Sequence, residues 1–203
     1  MSKAFGRWAG ACLAGAGVLT FAINAFLTPF LPHAEVYASP IFLWRQGASA
    51  LAAVLLLFGA IGVYFHQADR AGRFGAAAFG VALIGSALLL AEEWNEIFLM
   101  RDLGLRVPDA LARLDAGPGL KLYDLGSLIP FVTFVLGWIA LCTSTLRTRA
   151  LSRRAAGLVI AGFFATPLLS AVLPGFWGGV LGNAILGGGL AWLGVDLLKA
   201  SRL

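Results

Sequence analysis

Charged side chains are scarce in this chain of 203 residues: only 12% are Asp, Glu, Lys or Arg, whereas 60% are hydrophobic. Soluble domains carry about 25% charged and about 45 to 50% apolar residues. A water-soluble fold cannot bury so large an excess of apolar side chains. The composition therefore excludes an ordinary soluble domain and predicts an integral membrane protein whose main partner is the lipid bilayer.

Cysteine and histidine are also scarce, with two of each. Cys12 and Cys142 lie inside apolar stretches and show neither CxxC nor Cys/His spacing, so the sequence predicts neither a disulfide framework nor a zinc site. His33 and His66 fall at opposite ends of the predicted helices, which disfavours haem ligation by the pair. No metal site is predicted, and the sequence identifies no cofactor.

Motifs for soluble partners and for catalysis are missing as well. The net charge of +5 comes from basic residues that flank apolar runs and form no patch or stripe, so a nucleic-acid partner is not predicted. The chain contains no GxSxG, HExxH, Walker or dinucleotide-binding motif. A function other than catalysis is therefore favoured.

Long apolar runs dominate what is present. A helix needs about 20 apolar residues to cross about 30 Å of hydrocarbon, and six stretches qualify: residues 5–30, 41–66, 74–100, 122–146, 155–173 and 176–198. The first exceeds the apolar region of a typical signal peptide, so we interpret it as a span. The sequence predicts one all-α domain over residues 1–203, a bundle of six transmembrane helices with short loops. The longest loop lies between Arg101 and Lys121.

The basic residues predict an orientation for this bundle. Ten of the fifteen Lys and Arg residues fall on the side of the N-terminus, and the segment between the fourth and fifth stretches holds four of them. Because cytoplasmic loops are enriched in Lys and Arg, both termini are predicted to be cytoplasmic. The Gly- and Ala-rich helices resemble those of small multispan bacterial membrane proteins, and we expect a bacterial inner membrane.

An acidic cluster stands at the far end of the third stretch, in the segment 91–97, AEEWNEI. A charged side chain at the centre of a membrane helix costs about 2.5 to 3.5 kcal/mol, so charge near this depth suggests a functional site. Glu92 and Glu96 share a helix face, and Glu93 is three residues from Glu96. These carboxylates repel one another, which favours a bound proton or a neutralising cation.

Other polar residues are predicted at the same height. Arg45 and Gln46 begin the second stretch, Tyr123 and Asp124 begin the fourth, and Asn95 lies within the acidic segment. With Glu92, Glu93 and Glu96 they predict a polar pocket on the outer side. Two alternatives remain: a solvated helix end with an interfacial Trp94, or a structural pair between a Glu and Arg45 that holds two helices together.

Glycine is abundant in the last two stretches, which a tight Pro174-Gly175 turn joins. Small residues such as Gly178, Gly182 and Gly189 let helix backbones approach closely. The sixth stretch is therefore predicted at a helix interface, either inside the bundle or between protomers. In the second case spans five and six would support a homo-oligomer or a larger membrane complex.

Three functions follow from these patterns. The first is binding or transport of a small ligand, a cation or a proton at the outer pocket. The second is a structural or assembly subunit of a larger membrane complex. The third is a membrane enzyme that uses a Glu as acid or base on a lipid-soluble substrate. We rank them in that order.

Overall fold

The computed structural model describes residues 2–32, 36–109 and 122–201, without the side chains of Leu122 and Tyr123. Within these ranges every regular element is helical. Five helical stretches are long and apolar enough to cross a membrane. The chain is therefore an all-helical protein of membrane type, as the composition predicts.

The helices follow one another with short connections. Helix α1 (Lys3–Ala22) is followed by a π-helical turn and a 3-10 turn, and a second π-helical turn follows α2 (Pro40–Asn95). Ser2 and Ser39 cap α1 and α2, and Ser152 caps α5 (Arg153–Val172), each by accepting a hydrogen bond from a backbone N–H of the first turn. The bounds are α1 Lys3–Ala22, π turn Ile23–Leu27, 3-10 turns Thr28–Phe30 and Val36–Ala38, α2 Pro40–Asn95, π turn Glu96–Met100, α3 Arg101–Arg106, α4 Leu122–Thr148, α5 Arg153–Val172 and α6 Trp177–Ala200.

Helix α2 reverses direction at one residue, Gly72, whose φ of 57° and ψ of −161° are not helical. Its halves, residues 40–71 and 73–95, lie side by side and antiparallel: Gln46 contacts Glu96, and the rings of Tyr64 and Phe79 stack with centroids 4.3 Å apart. Only glycine adopts this conformation at little cost. The polar segment 67–73, which separates the second and third predicted spans, is helical except at Gly72.

The acidic cluster does not lie at the end of a helix, because helical backbone continues beyond Met100, where the predicted third span ends. The π turn Glu96–Met100 leads directly into α3, so helical backbone continues to Arg106. The predicted loop between Arg101 and Lys121 therefore begins later than expected. Residues 110–121, which include Arg113 and Lys121, lie outside the described part of the chain.

Glycines let α1, α6 and α5 pack with their backbones in contact. A Cβ added at Gly10 would lie 2.8 Å from the carbonyl oxygen of Gly194, and Gly17 meets Gly187 in the same way one level further along. On the other side of α6, Gly182 packs against Thr166 of α5. The predicted glycine interface of the sixth span thus lies inside the chain. The Pro174-Gly175 turn is confirmed, with Gly175 at a φ of 60°.

Helix α4 packs against the second half of α2, where Gly85 meets Phe134 and Gly137 meets Ala82. This interface also holds most of the buried polar side chains. Of the six buried polar residues in the described ranges, five lie on α2 or α4, and the sixth, Ser201, follows α6. The five are Gln46, Gln67, Ser86, Ser144 and Thr145. The α2–α4 side of the bundle is therefore polar inside, whereas the α1–α6–α5 side is packed through glycine and apolar groups.

Candidate functional site: an acidic cavity between α2 and α4

A cavity of about 520 Å³ lies between the two halves of α2 and the start of α4. Each of the three helical segments contributes polar side chains to its wall. The lining residues are Arg45, Gln46, Leu89, Glu92, Glu93, Glu96, Asp124, Ser127, Leu128 and Phe131. Six of the eight predicted site residues therefore meet in one place.

The reversal of α2 at Gly72 explains this convergence. It brings Arg45 and Gln46, near the start of the first half, beside Glu93 at the end of the second half and Glu96 in the π turn that follows. The three-residue and four-residue spacings then place the three glutamates on one side of the helix. Since α4 begins at the same level, its first turns close the cavity.

Gln46 links the cation of the cavity to one of its carboxylates. Its side chain is 1% exposed; its amide nitrogen donates a hydrogen bond to Oε2 of Glu96, and its amide oxygen accepts one from Nη1 of Arg45. The Arg45 Nε also donates to the hydroxyl of Thr28, at 3.3 Å.

The predicted direct pair between Arg45 and a glutamate takes a different form. Among the ion pairs of the described residues, none joins Arg45 to a cavity carboxylate. The amide of Gln46 stands between the two charges instead. This amide holds Arg45 and Glu96 in fixed positions without neutralising the carboxylate by direct contact.

Glu93 has the least satisfied carboxylate. Gln46 and Arg45 lie near it, yet its Oε2 atom is buried and has no hydrogen-bond partner among the described residues. A buried polar atom left unpaired costs about 1 to 3 kcal/mol, and more when it is charged. The arrangement therefore leaves a position inside the cavity that a donor or a positive charge would stabilise.

Helix α4 contributes one polar residue that the sequence analysis missed. Ser127 faces Glu92 across the cavity, three residues after Asp124 and so on the same side of the helix. The three-residue spacing from Asp124 could have identified Ser127 as a cavity residue from the sequence alone. Leu128 and Phe131 complete the wall and are 45% and 57% exposed, which places the cavity at the surface of the bundle and not on its axis.

Both π-helical turns of the described chain lie at this end. Thr28, which binds Arg45, directly follows the turn Ile23–Leu27, and Glu96 opens the turn Glu96–Met100. π-helical turns are rare and occur frequently at functional sites, because the extra residue redirects side chains. No sequence pattern distinguishes them from ordinary α-helix.

Two of the eight predicted site residues, Asn95 and Tyr123, are not among the residues that line the cavity. Asn95 is half-buried, and the side chain of Tyr123 lies outside the described part of the chain. Within the described residues no three His, Cys, Asp or Glu side chains are arranged to hold a metal ion.

Comparisons of the chain with protein-family models, with curated proteins and with solved structures find no match.

Proposed function

We propose that the chain is a six-span membrane protein whose acidic cavity binds a small positively charged ligand, a monovalent cation or a proton, for binding or transport. The observation that carries this proposal is the buried, unpaired oxygen of Glu93 in the cavity wall. The lining includes four carboxyl groups against the single guanidinium of Arg45. An excess of one charge concentrates ligands of the opposite charge in such a cleft.

Six crossings follow if each half of α2 spans the bilayer. Arg73 and Glu93 are separated by 20 residues, or about 30 Å of helix, which equals the hydrocarbon thickness. With Arg73 at one membrane surface, Glu93 lies at the opposite surface. The positive-inside rule then favours cytoplasmic termini and an outer cavity, in keeping with a bacterial inner membrane.

The size of the cavity and the residues of its wall suit a small ligand that carries a positive charge. Its volume of about 520 Å³ exceeds the roughly 30 Å³ share of one water molecule many times. It can therefore hold a hydrated monovalent ion or a small ammonium compound. Leu89, Leu128 and Phe131 form an apolar wall beside the carboxylates, which suits the methyl groups of an organic cation.

The two other readings have less support. An assembly subunit was inferred from glycines in spans five and six, but Gly178, Gly182 and Gly189 pack against α5 within the chain. The glutamates of the cavity could serve as the acid or base of an enzyme, but the sequence carries no catalytic motif that identifies a reaction. Binding or transport of a cation accounts for more of the geometry.

Thermal unfolding in nanodiscs tests the proposal, with sodium, potassium, tetramethylammonium and guanidinium chloride as probes at constant ionic strength. A ligand that binds only the folded state at 100 times its Kd stabilises by about 2.7 kcal/mol. We expect at least one probe to raise the Tm of the parent and to lose this effect in Glu93→Gln.

The matched control is Asp69→Asn, which removes one negative charge from an exposed position of α2 next to its reversal at Gly72, far from the cavity. It should keep the response of the parent to every probe. Equal responses of the parent and Glu93→Gln would contradict binding of a cation other than a proton at this cavity.

A further inference from the structure

Arginine is concentrated at the end of the bundle where α2 reverses and α4 connects to α5. Six arginines fall in two short segments there, residues 69–75 and 147–154, against a single acidic residue, Asp69. All six side chains are exposed. This group, which we call the arginine corner, consists of Arg70, Arg73, Arg147, Arg149, Arg153 and Arg154.

Contacts between α2 and α4 hold the two segments side by side. The guanidinium carbon of Arg147, in the last turn of α4, lies 4.4 Å from the centre of the Phe74 ring, just after the reversal of α2. On the other side of the reversal, the Thr148 hydroxyl donates a hydrogen bond to the side-chain oxygen of Gln67 at 3.1 Å. The face of an aromatic ring attracts a cation, which favours this position of Arg147. The end of α4 therefore keeps its arginines beside those of the reversal.

Arginines at the opposite end of the bundle are used by the chain itself. Arg45, Arg101 and Arg106 each donate hydrogen bonds to side chains or backbone carbonyls of described residues. In the arginine corner no guanidinium group donates a hydrogen bond or forms an ion pair within the described part of the chain. Since each guanidinium carries five N–H donors, the corner keeps its hydrogen-bonding capacity for a partner outside the chain.

The corner lies at the level of the lipid headgroups if each half of α2 crosses the bilayer, as proposed above. Arg73 then marks one surface of the hydrocarbon, and Arg147 lies at the same level because it contacts Phe74. Helix α5 begins at Arg153, so the positive end of its dipole and its first backbone N–H groups face this surface as well. Guanidinium groups bind phosphate oxygens through paired N–H donors, and helix N-termini favour the same anions. A phosphodiester headgroup matches the corner in charge, donors and depth.

We propose that the arginine corner binds the headgroups of anionic phospholipids. Clusters of four to eight Lys or Arg residues at the cytoplasmic end of membrane helices attract such lipids. Bound headgroups would also offset the repulsion among six like charges. The bilayer supplies lipid phosphates at this level at high local concentration, and a soluble phosphate would have to compete with them on an exposed surface. The acidic cavity takes no part in this binding.

The test is native mass spectrometry of the protein in detergent, titrated with phosphatidylglycerol or, as the zwitterionic reference, phosphatidylcholine. The parent should bind the first phosphatidylglycerol more tightly than the first phosphatidylcholine, and raised salt should weaken this preference. Arg73→Gln and Arg153→Gln should each raise the Kd for phosphatidylglycerol about fivefold, the factor that corresponds to about 1 kcal/mol for one arginine near an anionic surface.

The matched control is Arg106→Gln, which removes one exposed arginine at the opposite end and should bind phosphatidylglycerol like the parent. Equal Kd values for the two lipids, or equal losses in Arg153→Gln and Arg106→Gln, overturn the proposal. Displacement of phosphatidylglycerol by an equal concentration of inorganic phosphate also overturns it, because the partner is then a soluble phosphate.

The result is separate from that of the cation proposal. Glu93→Gln should bind phosphatidylglycerol like the parent, whatever its response to probe cations. A lipid preference that depends on Arg73 and Arg153 supports the arginine corner even if no probe cation raises the Tm, and then only the cavity proposal fails. The variants replace exposed side chains without partners in the described chain, so their Tm values should equal that of the parent in phosphatidylcholine nanodiscs.

Discussion

The two sides of the bundle are built in different ways. Along α1, α6 and α5, glycines bring backbones into contact, and half-buried polar groups such as Thr20, Thr166 and Asn183 bond a carbonyl of their own helix. Along α2 and the described part of α4, polar side chains are buried, a cavity opens, and three side-chain atoms lack hydrogen-bond partners among the described residues. Close packing provides stability on the first side, while the second keeps unsatisfied groups that a ligand can use.

The largest effect should come from disturbing the close-packed side. Gly187→Leu forces a side chain into the backbone of α1 at Gly17, and overpacking costs about 1 to 3 kcal/mol, occasionally more. We expect the upper part of this range because the obstacle is backbone. The adjacent Gly188 faces open space, so Gly188→Leu should unfold close to the parent. Thermal unfolding in nanodiscs measures both, and equal losses would mean that glycine packing does not stabilise α1 on α6.

On the polar side, Gln46→Leu removes the amide between Arg45 and Glu96 while keeping a similar volume. Two charged groups then lose a buried partner, which costs about 1 to 3 kcal/mol. Trp44→Leu, at an exposed neighbouring position, is the control and should be nearly silent. A Tm of Gln46→Leu equal to that of the parent would mean that the Gln46 bridge is not buried. The alternative that the acidic cluster is a solvated part of the helix would then gain support.

The reversal at Gly72 should be less costly to disturb, because an added Cβ meets no neighbour within 4 Å and only backbone strain opposes it. Gly72→Ala places a Cβ on a backbone with a φ of 57° and a ψ of −161°, a conformation that other residues rarely adopt, and such strain costs about 1 to 3 kcal/mol. Gly80 lies in regular helix with nothing within 4 Å of an added Cβ, so Gly80→Ala should be neutral or slightly stabilising. Denaturation of both variants gives the difference. A neutral Gly72→Ala would show that the two halves of α2 do not need this backbone geometry.

The smallest effect is expected at the only ion pair found among the described residues, Asp102 with Arg106 in α3 at 2.7 Å. Both side chains are largely exposed, and such pairs contribute about 0 to 1 kcal/mol. Asp102→Asn should therefore shift the Tm by less than any variant above. A shift in Tm as large as that of Gln46→Leu would contradict the exposure of the Asp102–Arg106 pair.

The sequence predicted helix positions well because hydrophobic length decides them. The stretches 155–173 and 176–198 match α5 and α6 within two residues at each end. The sequence could also predict that Arg45, Gln46 and the glutamates come together, because a helix hairpin places its two ends side by side.

Three features were beyond sequence reasoning. Continuation of the helix from Glu96 to Arg106 depends on a π turn with no residue signature. The amide bridge of Gln46 depends on side-chain geometry that only the packed helices define. The buried cluster of Gln67 and Ser144 joins residues on two helices whose facing sides were not fixed by an apolar stripe, because both helices are apolar all round.

The most direct test of the central claim is labelling by dicyclohexylcarbodiimide, an apolar reagent that reaches carboxyl groups shielded from water. Digestion and mass spectrometry then locate the adducts. The account predicts an adduct on Glu93 in preference to the exposed Asp69 and Asp102, and slower labelling when sodium or tetramethylammonium is present. Equal labelling of all three residues, or labelling of Glu93 that neither cation slows, would contradict a buried cation site at this cavity.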